Sequence, residues 1–269
     1  MAQLAFRLLA AGVMAPGLDS LEQLRCIARG EQELVASPLA LPAPAQLPAA
    51  ERRRASQVVR LTLACIARAL QGSNVPPTEL RSVFATDEGT GEVCQQMLEA
   101  LATTGQVSPL LFTNSVHNAP SGYFSIAWRN QQASTVVSMG LESFASGLLC
   151  AVTDSLATGQ PVLLVVCDPP MTSPLDELLP VLHGSCAALL LHAHGDATGD
   201  ALARFRMELT AADDAPASRL PSWVPASWSG NASALALGFL DLLEQPPAAS
   251  ARYSLGGQRI VLQREEAAA

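Results

Sequence analysis

The sequence predicts an α/β layered domain, and three observations carry that prediction. Short β-branched or apolar segments alternate along the chain with segments whose apolar residues recur at helical spacing. One segment, VLLVVC at Val162–Cys167, is apolar throughout, the pattern of a strand buried on both faces, as in a parallel sheet. A strand–turn–helix unit occupies Ala133–Gly159.

Each element has its own local reason. Leu4–Ala11 reads as the first strand, ahead of a Pro16-Gly17 turn. Ser20–Arg29 reads as a helix capped by Asp19 or Ser20 and closed by Gly30. Pro38–Pro48 is a Pro- and Ala-rich surface linker. Arg53–Leu70 is predicted as one helix ended by Gly72, with Pro76-Pro77 beyond it. Ser82–Thr86 is a strand and Gly91–Thr104 an amphipathic helix with Gly105 behind it. The turn HNAPSG leads to a helix over Ser121–Trp128, then to the strand Ala133–Ser138. Leu141–Thr158 is a helix stopped by Gly159, with Phe144, Leu148, Val152 and Leu156 on one stripe. Val162–Cys167 and Cys186–His192 are strands, Ala211–Ser229 is a loop and Ser233–Leu243 is a helix. Arg252–Leu255 and Gln258–Gln263 flank Gly256-Gly257 as a terminal hairpin.

Composition narrows the function classes. The chain has 269 residues and a net charge of −8; 49% of residues are hydrophobic and 15% charged. Mean hydropathy is +0.25. Acidic balance argues against nucleic acid as a partner, because phosphate contacts need clustered cations. The one tight basic run, Arg52–Arg54, reads as a solvated helix start or an ion-pair site; its functional alternative is contact with an acidic carrier protein. So apolar a chain reads either as an Ala- and Leu-rich core or as one half of a buried subunit interface. No apolar run reaches the roughly 18–20 residues a membrane span needs. The N-terminal run lacks the charged region of a signal peptide. Cys26, Cys65, Cys94, Cys150, Cys167 and Cys186 show no paired spacing and sit mostly in apolar runs. They read as small hydrophobes, with no metal site and a reducing, cytoplasmic compartment. No glycine pattern cradles a phosphate, so no cofactor is expected.

The segment Ser108–Gly159 carries the candidate chemistry. A strand–turn–helix aims one side chain at a helix N-terminus, where free N–H groups favour an anion. A cysteine there would be held as a reactive thiolate. This chain has Met139, which cannot be deprotonated. Its plain alternative is core filler. Ser143 is a nucleophile only if a base accompanies it; otherwise it caps or packs. Glu142 fits a helix-dipole role. His117 beside Asn118 reads as a local hydrogen-bonding or interface residue, with catalysis as the alternative. His192 and His194 alternate at a strand end like two metal ligands lacking further partners, or like plain surface residues. Asp168, at a strand's C-terminal end, occupies a common ligand position, but the Pro-Pro that follows also fits a turn.

The same segment resembles the ketosynthase family, the condensing enzymes of the thiolase superfamily. Their nucleophile strand has the form S-x-x-x-A-C, and counting back from the helix residue Gly147 puts the family cysteine at Met139. Asn118 and Gly122 match the N-x-x-x-G turn, preceded by Ser108–Phe112. Glu51–Leu70 resembles the family's Arg-rich start of its second helix, and Pro161–Pro170 the strand after the nucleophile helix. The resemblance covers roughly residues 4–192 and rests on the order and spacing of these motifs.

It implies a thiolase-like layered fold: a single, N-terminal-type half with a mainly parallel mixed sheet and a C-terminal hairpin. One domain is expected over residues 1–269, a ketosynthase-like core over 1–195 and an extension over 196–269. Active members use two histidines and a lysine in a second half of the fold. This chain has no lysine, and after Ala193 only His194 remains as an imidazole. The chain therefore resembles the small chain-length-factor-type subunits that accompany ketosynthases in aryl-polyene and pigment clusters. The resemblance implies a non-catalytic subunit in a heterodimer with a catalytic ketosynthase, with an acyl carrier protein as a further partner. In such dimers the strand before the nucleophile pairs across the two-fold axis; here that strand contains Ser134 and Val136. The segment near the dimer axis and the partner's acyl tunnel is Thr113, Asn114, Ser115, Val116, His117, Asn118, Ala119 and Pro120, with Met139, Glu142 and Phe144 as further wall or interface candidates. The opposing readings are a stand-alone thiolase-like acyl hydrolase or transferase and a self-associating scaffold.

Overall fold

The computed structural model describes residues 3–39, 41–71, 73–179, 181–194, 201–211, 217 and 220–266. In chain order, β1 (Gln3–Met14) leads to α1 (Leu21–Ala28), α2 (Ala49–Arg54) and α3 (Gln57–Ala69). β2 (Arg81–Ala85) is followed by α4 (Gly91–Thr104), α5 (Pro109–Asn114) and α6 (Ala119–Trp128). Then come β3 (Ser134–Val137), α7 (Ser143–Thr158), β4 (Val162–Asp168) and β5 (Ser185–His192). β6 (Ala203–Ala211), α8 (Leu235–Asp241), β7 (Ser250–Leu255) and β8 (Gln258–Arg264) complete the chain.

The strands form one eight-stranded sheet in the order β3-β2-β4-β5-β1-β6-β8-β7. Only the pairs β2–β3 and β2–β4 are parallel; the other five are antiparallel. The sheet is thus mixed, as expected, but not mainly parallel. The reason lies in what an apolar run reports. β5 is buried along almost its whole length, which makes it apolar on both faces, yet it runs antiparallel to β4 and β1. Burial, and not strand direction, sets that pattern.

Side chains alternate between two packed faces. Leu163, Val165 and Cys167 of β4 point into a core shared with α3 and α6. Val162, Leu164 and Val166 point the other way, into a core shared with α1, α7 and α8. Fully burying one such Val or Leu stabilises the fold by about 1.5–3 kcal/mol, so β4 anchors both layers. The extension completes the second core: Phe205 and Met207 of β6, Phe239 of α8, Tyr253 of β7 and Ile260 of β8 all pack there. Phe6, Phe205 and Phe239 lie with ring centroids 4.7–6.3 Å apart.

Several elements differ from the sequence reading. The helix expected over Arg53–Leu70 is two helices broken at Ala55-Ser56. Ala55 is extended, and its carbonyl accepts from Arg60 Nε at 3.0 Å. Gly72, expected as the stop, lies outside the described residues. α5 has no counterpart in the sequence reading, and α6 begins at Ala119, within the expected turn HNAPSG. β6 has no counterpart in the sequence reading. Ser20 is the N-cap of α1, accepting from Gln23 N at 3.2 Å, and the terminal hairpin forms where expected.

Two glycines let helices approach the sheet closely. A Cβ on Gly12 of β1 would run into the backbone of α3, including Ala69 N at 2.6 Å. A Cβ on Gly147 of α7 would stand 2.7 Å from Ala85 Cβ and 3.1 Å from Leu164 Cδ1. Gly12→Ala therefore forces main chain apart and is expected to cost at least about 3 kcal/mol in urea unfolding. Gly147→Ala, opposed by side chains and favoured by helix propensity, should cost about 1–2 kcal/mol. Equal stability of both variants and the wild type would contradict this packing.

Candidate functional site

The C-terminal ends of β2, β3 and β4 converge beside the start of α7, and the candidate site is built there. β3 is the terminal strand of the sheet, with β2 on one side and no strand on the other. After Val137 the chain turns through Ser138, Met139 and Gly140; Gly140 has φ +58. Ser138 Oγ donates to Asp87 O at 2.9 Å, tying this turn to the loop after β2.

Ser143, the first residue of α7, is fully buried. Its hydroxyl accepts from Met139 N at 2.9 Å and lies 2.9 Å from Thr86 O and 2.7 Å from Gly140 O. Every one of these partners is backbone. The hydroxyl clamps the turn and faces no base. Met139 is 51% exposed, as is Leu141, so the position expected to be buried stands half open on the surface. Glu142 is the N-cap residue of α7, and its Oε2 accepts from Gly256 N at 2.7 Å. Phe144 points the opposite way, fully buried against Phe239 and edge-on to Tyr253 at 5.0 Å. It belongs to the core, unlike the exposed Met139.

Beneath this turn lies Asp168, buried at the end of β4. Oδ1 accepts from Thr86 Oγ1 and Asp87 N, both at 2.7 Å, and Oδ2 accepts from Ser233 N at 3.0 Å. The carboxyl thus joins the β2–α4 loop to the turn before α8. It is a structural node and lines no opening. Burial pushes its pKa up to about 6 against the pull of those hydrogen bonds. Burial also raises Asp87 and Glu88; Glu88 is raised further by Asp87 and lowered by the exposed His117. His117 sits at the same end of the sheet without touching Met139 or Ser143 through any hydrogen bond described.

Residues 113–120 form the end of α5 and the start of α6. Thr113 and Ser115 hydroxyls donate to Leu110 O and Phe112 O, and Asn118 O accepts from Gly122 N at 3.0 Å. Thr113, Val116, Asn118 and Ala119 line an open groove of about 400 Å³ with Tyr123 and Ile126. Pro120 is buried in the first turn of α6. Leu110, Phe112 (64% exposed), Val116 and Ile126, on or between α5 and α6, are exposed, as are Met139 and Leu141 in the turn before α7. On β3, Ser134 is exposed and Val136 half-buried; Ser134 Oγ meets Ser82 Oγ at 3.1 Å. The structure thus gathers Thr113, Val116, Asn118 and Ala119 in one groove and places Met139 in the turn after β3. The helix α5 escaped the sequence reading, although Ser108-Pro109, an N-cap followed by proline at N1, signals it.

Other candidates have structural occupations. His192 sits between Arg7 Nη2 at 2.9 Å and Gly159 O at 3.2 Å, and His194 Nε2 meets Leu156 O at 2.7 Å. They tie β5 to the end of α7. Cys65, Cys167 and Cys186 are buried together, and burial raises the Cys186 thiol well above its ordinary value. Among the described residues no group of three His, Cys, Asp or Glu side chains could hold a metal. Arg52 donates to Ala45 O and Leu47 O, Arg54 pairs with Glu51 at 3.6 Å, and Arg53 is exposed. Among the described residues no helix is long and apolar enough to cross a membrane.

The family profile described as beta-ketoacyl synthase, N-terminal domain, matches residues 27–227. A chain of the ketosynthase (ApeO) in complex with its chain length factor (ApeC) from Xenorhabdus doucetiae superposes with a TM-score of 0.72 at 23% identity, covering 97% of this chain and all of that one. A chain of the ishigamide ketosynthase/chain length factor gives 0.73 at 12% identity, over 97% and 100%. A chain of the AntDE:AntF assembly, a type II polyketide acyl-carrier protein in complex with its ketosynthase, gives 0.73 at 14%, over 98% and 100%. These likenesses establish the thiolase-like, single-half fold. No curated protein sequence matches the chain.

Asp168 gives the site a pH signature. An unfolded carboxyl titrates near pH 3.9. The folded value is higher, so the native state holds the proton more tightly. The stability this adds is fully present below about pH 4 and is lost as pH rises through about 6. At about 1.4 kcal/mol per pKa unit the loss is roughly 3 kcal/mol. Asp168→Asn removes the charge and nearly keeps the shape. Urea unfolding of wild type and variant between pH 4 and 7 should show the variant's decline smaller by about that amount. Parallel curves would refute the assignment.

Proposed function

The chain belongs to the beta-ketoacyl synthase N-terminal domain family, and on that footing we propose that it is a non-catalytic, chain-length-factor-type subunit. In this reading residues 1–269 are one ketosynthase-like domain that pairs with an active beta-ketoacyl carrier-protein synthase of fatty-acid- or polyketide-like, aryl-polyene biosynthesis and shapes its acyl tunnel. One observation carries the reading. Where the family's thiolate would stand, the chain has the thioether of Met139, and the adjacent Ser143 hydroxyl is committed to three backbone partners. Acyl transfer needs a nucleophile and a base within hydrogen-bond reach. The same geometry speaks against a hydrolase built on Ser143.

The partner's place is supported by the free edge of β3 and the apolar residues around it. An uncharged terminal strand is an aggregation hazard unless paired. Pairing it and covering Leu110, Phe112, Val116 and Met139 would make an obligate interface of roughly 2,000 Å² or more. The titles of the similar complexes, a ketosynthase with its chain length factor and a ketosynthase with a carrier protein, describe assemblies of that kind. Carrier-protein contact through Arg52–Arg54 belongs to the same proposal, with Arg53 the exposed cation.

Incubated with acyl- and malonyl-carrier proteins, the pure chain should gain no acyl mass. Met139→Cys should give at most a slowly acylated thiol and no condensation alone. Co-expressed with its ketosynthase, the chain should elute as a heterodimer. An acyl adduct on the wild type, or a stable monomer with no affinity for the ketosynthase, would overturn the proposal.

Within that heterodimer the groove at Val116 and Ala119 marks the tunnel end. A phenylalanine at either position fills space that small side chains leave. Val116→Phe and Ala119→Phe should each shorten the product while leaving the complex intact. Mass spectrometry of products from complexes verified by light scattering decides this. Unchanged lengths would leave the chain a scaffold.

A further inference from the structure

The two ends of the sheet meet at α7. β3 ends at Val137, and the turn through Met139 leads into α7, whereas β7 and β8 lie at the opposite end of the strand order. Their connecting turn nonetheless returns to the same helix start, because Glu142 Oε2 accepts from Gly256 N at 2.7 Å. A second attachment fixes the stem of the hairpin: Tyr253 of β7 is buried and packs edge-on to Phe144 of α7 at 5.0 Å. Glu142 is itself rigidly related to Met139, since its backbone N donates to Met139 O at 3.1 Å. The hairpin tip, Glu142 and Met139 therefore form one mechanically connected unit.

The tip is bare. Gly256 (φ +52) and Gly257 (φ +77) both adopt left-handed backbone, as a two-residue hairpin turn requires. A Cβ at either would meet nothing within 4 Å. Gly256, Gly257 and Gln258 are exposed and Leu255 is half-buried. The exposed Met139 and Leu141 thus precede a residue, Glu142, that is bonded to the exposed main chain of the turn. These turn residues lie beyond the family profile, which ends at residue 227.

We propose that the turn Leu255–Gln258 is part of the surface that faces the catalytic ketosynthase, and that Glu142 is the positioning residue that holds the turn there. This rests on the heterodimer reading above. A carboxylate accepting from a backbone N–H is a charge-assisted bond, about twice as strong as a neutral one. Removing it frees the turn while Tyr253 and Phe144 keep the hairpin stem folded. Glu142→Gln preserves an acceptor at the same place.

The test compares Glu142→Ala, Glu142→Gln and wild type in two measurements. Amide hydrogen exchange on the chain alone reads the turn. Titration with the purified ketosynthase reads affinity. Glu142→Ala should exchange at the turn about tenfold faster and bind about tenfold more weakly, with exchange in β4 and β5 unchanged. Glu142→Gln should stay within about twofold of wild type in both. A turn equally protected in Glu142→Ala overturns the latch. A turn released with affinity unchanged overturns its place in the interface. A wild-type chain that binds no ketosynthase overturns the heterodimer reading itself, and that result is visible without any variant.

Discussion

The enclosure of α7 is the constraint on which the rest of the architecture depends. One sheet supplies both of its walls: β2, β4 and β5 on one side, and the β7 arm with α8 on the other. A helix enclosed in this way cannot be amphipathic in the usual sense. It must be apolar over most of its circumference, and SFASGLLCAVTDSLAT is. Its closest contact with the sheet is set at Gly147, so the helix axis sits where no side chain would fit. Ser155 and the two histidines of the β5 end secure its far end: Ser155 Oγ accepts from Ala193 N at 2.9 Å, and His194 meets Leu156 O. The near end is held by Ser143 and Glu142. A helix tied at both ends and packed between two walls is a rigid post.

That rigidity fixes the turn before α7, where the non-catalytic reading proposed above puts Met139 in place of a thiolate. The turn before α7 still presents one side chain at a helix start, and its hydrogen bonds remain complete. The polar groups that could have served chemistry are spent on structure. Ser143 clamps the turn, Asp168 joins three segments, and His192 and His194 brace a strand. What stays unspent is apolar and exposed: Leu110, Phe112, Val116, Ile126, Met139 and Leu141. Buried polarity with partners beside exposed apolarity is the distribution the proposed subunit surface requires.

Much of this was legible in the sequence because the signals were local. The α4 stop at Gly105, the α7 stop at Gly159 and the Gly256-Gly257 turn all follow from residues that tolerate left-handed backbone. Met139 at the head of α7 followed from the spacing to Gly147. The errors arose where the outcome depends on distant partners. The break at Ala55-Ser56 is fixed by Arg60 and by contacts with α5, which helical periodicity cannot reveal. The direction of β5 is set by its neighbours. β6 did carry a signal, the alternation of Phe205, Met207 and Leu209 with Arg204, Arg206 and Glu208, and it lies next to a Gly- and Asp-rich stretch that reads as loop. The latch from Glu142 to Gly256 spans 114 residues and no sequence pattern announces it.

The pairing of β1 has a consequence for biosynthesis. Among the described residues β1 bonds to β5 and β6, whose residues lie at 185–192 and 203–211. None of the strands made in between is its neighbour. At the usual elongation rates of about 5–20 residues per second, β1 waits roughly 10–40 s on the ribosome before its partners exist. Its apolar run, LAFRLLAAGVM, stays without a ladder for that interval. Pairing of β1 is therefore the event that joins β2–β5 to the later strands, and only the β8–β7 arm is added after it. Non-local closure of this kind is slow, and the apolar run of β1 stays unpaired while it waits.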